Sequence, residues 1–185
     1  DALVEYRTSL ARTPREIPDD IFQLELLTAL SLAKLRPLEY SEDLARTLFF
    51  SDLSKIDSTP ILEESMIVLA NSEGILELSS LEEAPAGQEN VVLPRPCSLV
   101  RLYEVLFQES ERRADFEKAD RNKNPMSAYE RDPHQTALHR EQAIQQAILR
   151  ALSILLDPEA ANLLSTYANH ENLDIRKTAR KVLHP

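Results

Sequence analysis

The residues best equipped for chemistry in this 185-residue chain are four histidines, one cysteine and a series of adjacent carboxylates. A metal or acid–base site needs several of them to converge. His139 and Glu141 are two apart in a helical stretch, so they point about 200° apart and cannot share an ion. HExxH does not occur, and His170-Glu171 is a single dipeptide in a polar turn. Carboxylates pair at Asp19-Asp20, Glu42-Asp43, Glu63-Glu64 and Glu82-Glu83. Catalysis by such a pair requires an apolar pocket that raises one pKa. These pairs are expected at helix starts, where the helix macrodipole already favours acids. Cys97 follows Pro96 at a helix start, a place that lowers a thiol pKa, but no histidine adjoins it, and a half-buried small residue is expected there. No serine lies in a nucleophile-elbow pattern. The expectation is no catalytic residue, no metal ligand and no cofactor-binding residue.

Arg176, Lys177, Arg180 and Lys181 form a basic strip, since residues four apart share a helix face. They are the candidate partner-binding residues, suited to an acidic segment or to phosphates. The competing explanation is attraction of cations to a helix C-terminus.

Glycine is nearly absent, with only Gly74 and Gly87. Phosphate-cradling loops and nucleophile elbows need Gly where the backbone turns sharply or approaches a ligand, so Rossmann and P-loop folds are excluded. A net charge of −10 disfavours nonspecific contact with nucleic acid or anionic lipid. The imbalance is concentrated: residues 1–75 carry 14 acidic and 7 basic side chains, residues 136–185 carry 5 and 6. One cysteine permits no intramolecular disulfide and no thiolate cage. No apolar run approaches the ~20 residues of a membrane span. A soluble protein, cytoplasmic or exported, is expected. The chain begins at Asp1 and stops at Pro185 after a repeat-like helix, as expected of a processed product or a fragment of a longer array.

The elements that must position these residues are helical. A short helix is predicted over 2–12 and another over 19–35, ended by Pro37. Ser41 is expected to cap a helix over 41–54, and Thr59-Pro60 to start one over 60–71 with Gly74 as its stop. The triplets at 75–78 and 91–93 could pair as a small hairpin. A long helix is predicted from Pro96, losing its apolar stripe over Glu109–Asp120 except at Phe116. Thr136 is expected to cap a helix over 136–156, and Asp157-Pro158 to turn the chain into 159–168 and 173–183. Hairpins are therefore expected at 2–35, 41–71, 97–156 and 159–183, with insertions at 75–96 and 121–134, in a single domain over 1–185. Such hairpins bury both helices only by stacking on neighbours.

The last hairpin is the most informative. Leu163-Leu164 and Tyr167-Ala168, then Asn172-Leu173-Asp174-Ile175-Arg176, then Ala179, Val182 and Leu183, resemble the HEAT repeat, clearest over 159–183. The resemblance implies an all-α superhelix of stacked antiparallel hairpins, with Asp174 and Arg176 as the structural residues of the repeat turn. The N-terminal half fits this pattern or an irregular helical bundle. His170-Glu171 is similar to one of the several His-Glu pairs of deoxyhypusine hydroxylase, a HEAT-repeat di-iron enzyme, yet one pair is too few ligands for that site. HEAT-like DNA glycosylases bind DNA along a basic concave face, whereas the basic residues here are confined to one terminal helix. The leading expectation is a non-catalytic scaffold that binds a protein or peptide partner, preferentially a basic one given the acidic N-terminal half. The alternative is a HEAT-like enzyme or enzyme-accessory domain of the lyase or hydroxylase type.

Overall fold

The computed structural model describes residues 19–50, 53, 56, 58–73, 76, 98–123 and 133–184. Among these there are seven helices and no strand: α1 Asp19–Leu35, α2 Pro37–Phe50, α3 Thr59–Asn71, α4 Leu99–Lys123, α5 Pro133–Leu152, α6 Pro158–Tyr167 and α7 Leu173–Leu183. The protein is all-α. The predicted 2–12 helix, the Gly74 stop, the 75–93 hairpin, Glu82-Glu83 and Cys97 lie outside the described residues. Contacts divide the chain into two compact units, Asp1–Leu99 and Val100–Pro185.

In the first unit α1 packs most extensively on α2, across a single-residue joint at Arg36. The hairpins expected at 2–35 and 41–71 place these two helices in different pairs. Pro37 does not merely end α1; it opens α2, where its missing N–H costs nothing. Arg36 serves both helices: its N–H donates to the Leu32 carbonyl at 2.9 Å and its carbonyl accepts from Tyr40 N–H at 3.1 Å. Ser41 is consequently inside α2 and does not cap it. Its buried hydroxyl donates to Ser72 Oγ at 3.2 Å, tying α2 to the end of α3. Glu42 is likewise a second-turn residue, paired with Arg46 at 3.2 Å, and Glu64 pairs with Lys34 of α1. The core interleaves Leu26, Leu30 and Ala33 with Leu44, Leu48, Leu62, Met66 and Leu69. Leu53 and Ile56, between α2 and α3, are also buried.

In the second unit α6 and α7 form the closest pair, and α7 is also packed on α5. Two expectations about α4 and α5 change. Residues 121–123 and 133–134, expected in the insertion, are helical, and 124–132 lie outside the described residues. The buried stripe of α4 also persists through its charged half. Tyr103, Phe107, Ser110 and Ala114 follow i, i+4, i+7, i+11 and are all buried, whereas Phe116 is 69% exposed. Small residues carry the stripe there because only they allow close approach, and Phe116, two positions after Ala114, faces away from it. On α5 the stripe is Glu141, Ile144, Gln145, Ile148, Ala151 and Leu152; on α6 it is Ala160, Leu164 and Tyr167; on α7 it is Ile175 and Ala179. Of the Leu163-Leu164 pair, Leu164 is buried and Leu163 only half-buried. Asp157 starts α6 as predicted, its carboxylate accepting from Glu159 N–H at 2.7 Å with Pro158 in the first turn.

Candidate functional site

The turn between α6 and α7 is built by side chains that meet its unpaired backbone groups. Helix ends leave N–H and C=O groups that need partners. Asn172, not Asp174, is the cap of α7: its Oδ1 accepts from Asp174 N–H at 2.9 Å and from Ile175 N–H at 3.5 Å. Asp174 reaches across to α5, where its Oδ2 accepts from Gln142 Nε2 at 2.7 Å. Arg176 Nη1 donates to the His170 carbonyl at 3.0 Å, and Arg180 Nε donates to the Ala168 carbonyl at 2.9 Å. Two members of the basic strip therefore fasten the end of α6 to α7. Lys177 and Lys181 remain exposed.

His170 sits where this turn meets α4. Its Nδ1 accepts from Asn172 N–H at 3.0 Å, and its Nε2 lies 2.7 Å from Glu111 Oε1. The first bond requires an unprotonated Nδ1, so the proton is on Nε2 and is donated to Glu111. Both ring nitrogens are thus engaged, and no lone pair is left for a general base. Phe107 and Tyr167 hold the ring from the core side, with centroids 4.1 Å apart and each 6.2 Å from the imidazole. Burial keeps the Tyr167 phenol above its ordinary pKa, and Glu111 and Glu104 push it the same way.

A buried ion pair lies beside it. Glu141, 2% exposed at its side chain, accepts from Arg113 Nε on Oε1 at 3.1 Å and from Ser110 Oγ on Oε2 at 2.8 Å, with Arg113 Nη2 3.0 Å from Oε2. A carboxylate this buried is stable only with such partners. His139, two residues earlier, is exposed and bonded to Gln135 at 2.7 Å, so the two do point apart.

Between α4, α5 and the α6–α7 turn lies a cleft of about 210 Å³. Glu111, Asp115 and Lys118 line it from α4, Gln142 and Gln145 from α5, and Glu171 from the turn. Among the described residues no three His, Cys, Asp or Glu side chains are arranged to hold a metal ion, and no helix is long and apolar enough to cross a membrane. Compared with protein families, curated proteins and solved structures, the chain matches none.

The basic strip and the cleft are separate features, and sequence reasoning found only the first. Asp174 and Arg176 both lie at the start of α7, Asp174 bonded to Gln142 of α5 and Arg176 to the His170 carbonyl. Glu141, Gln142 and Gln145 were missed. Their signal was present in outline, since Glu141 and Gln145 continue the period of Ile148 and Leu152 with polar residues where apolar ones belong.

Proposed function

We propose that this chain is a non-catalytic interaction scaffold, built of HEAT-type hairpins, that holds a protein partner against the second unit. The observation that carries the reading is the cleft beside the α6–α7 turn. Its polar side chains are mostly fixed by bonds to one another, and Gln145 of its lining is left without a partner. A site preorganised in this way holds a ligand without first paying to order itself. Supporting the HEAT-type assignment are the buried Leu164, Tyr167, Ile175 and Ala179 and the Arg176 contact at the turn. The lyase or hydroxylase alternative finds no support at His170, whose two nitrogens are already occupied.

A photo-cross-linking residue placed at Glu171 tests the scaffold reading in the native source. The expected result is a discrete protein adduct that is lost when the same residue is placed at the exposed Asn162 of α6. Equal labelling from both positions, or none from Glu171, overturns it.

A further inference from the structure

Gln145 is a polar side chain on the core-facing stripe of α5. It is 5% exposed, it lines the cleft, and no hydrogen bond to a described residue satisfies its amide. Its amide opens into the cleft, where water or a ligand supplies its hydrogen bonds. Its neighbours determine what that ligand must offer.

Acceptors dominate the lining. Gln142 gives its N–H to Asp174 and so keeps its carbonyl oxygen as an acceptor. Glu111 receives the His170 proton on Oε1, leaving Oε2. Glu171 adds an exposed carboxylate. The cation of the lining, Lys118, is 2.9 Å from Asp115 and is offset by it. A ligand that complements this set is a donor and a cation. The cleft, at about 210 Å³, is smaller than the ~300–1,000 Å³ of sites that enclose whole small molecules. It suits one side chain. Several acceptors spread over two helices and a turn match a planar fork of five donors better than the single point of an ammonium.

The geometry points to a socket for an arginine side chain of the protein partner. The Gln145 and Gln142 carbonyls accept its N–H groups, and Glu111 and Glu171 neutralise its charge. The inference rests on the scaffold reading and adds the chemistry of the contact.

The test is an NMR titration of the ¹⁵N-labelled full chain with three probes: Nα-acetyl-arginine amide, its lysine counterpart and the neutral isostere Nα-acetyl-citrulline amide. Arginine is expected to shift the Gln145 side-chain amide and the backbone of Glu111 and Glu171, lysine more weakly, and citrulline not at all. Gln145→Leu, close in volume, should weaken arginine binding about tenfold or more through a lost bond to a charged group. Glu171→Gln, at an exposed position that folding does not depend on, should weaken it about two- to fivefold. Equal shifts with citrulline overturn the socket. So does arginine binding that both variants leave unchanged. A protein adduct at Glu171 combined with no arginine shifts overturns the socket and spares the scaffold reading. Arginine shifts without an adduct uphold the socket's chemistry and count against the scaffold.

Discussion

Asn172 and Asp174 are two residues apart and chemically alike, yet they have different jobs. Asn172 caps α7; Asp174 is bonded to Gln142. Asn172→Ala should therefore lower unfolding stability in urea by about 1 kcal/mol. Asp174→Ala should cost less, since it forfeits one exposed bond and leaves the cap whole. Glu141 carries higher stakes. Glu141→Ala strands the part-buried Arg113 guanidinium, and the loss should be about 3 kcal/mol by the same measurement, near the lower end of the range for a broken buried pair. Glu141→Gln, which still accepts from Ser110, should cost less. Tyr167 gives the pH dependence. Its folded pKa is raised above the ordinary 10.0, so the folded protein keeps a proton that the unfolded chain releases. That contribution is complete below pH ~10 and is lost as pH rises above it toward the folded value. The melting temperature should fall on alkaline titration past that point, and the fall should be shallower in Tyr167→Phe.

At the scale of elements, α7 is seated by the buried Ala179 and Ile175 and by the Arg176 and Arg180 bonds to the preceding turn. Ala179, fully buried, lets α7 approach its neighbours closely, and Ile175 fills the interface beside it. Ala179→Leu should destabilise by about 1–3 kcal/mol through overpacking. Leu152, fully buried at the end of α5, should cost about 2–5 kcal/mol when cut to Ala, and Leu163→Ala appreciably less because that side chain is only half-buried. Equal losses at 152 and 163 in thermal melts would show that the core of the second unit is wrongly drawn. The charged half of α4 holds its place by the same logic. Ser110 and Ala114 bury little area each, but Ser110 bonds to Glu141 and so links α4 to α5.

For the whole molecule the observation with the widest reach is that the described residues form helices alone. The chain has two glycines and eleven prolines, and among the described residues turns are made by Pro at helix starts and by side-chain caps. Arg36-Pro37 and Asp157-Pro158 are two such joints. Far-UV circular dichroism of the full chain should show a dominant helical signature, with more than half the residues helical. A dominant β signature would contradict the fold.

The all-α class was legible because it depends on local physics. Hydrophobic period, proline placement and Asp157 as a cap act within a few residues, so the sequence alone determined the existence of each described helix and the turn at 157–158. Boundaries were less legible where two local signals competed. Ser41 has cap chemistry, but Pro37 had already opened the helix four residues earlier, and burial against Ser72 gave the hydroxyl a different partner. Only tertiary structure decided which partners the polar residues meet. The period of α5 marks Glu141 and Gln145 as core-facing, but nothing local says what they face. Glu141 is held by Arg113 and Ser110 on α4 and Gln142 by Asp174 on α7, 28 to 32 positions away along the chain. The cleft exists because three elements distant in sequence meet there, and which partner a side chain finds at that separation is not written in any local pattern.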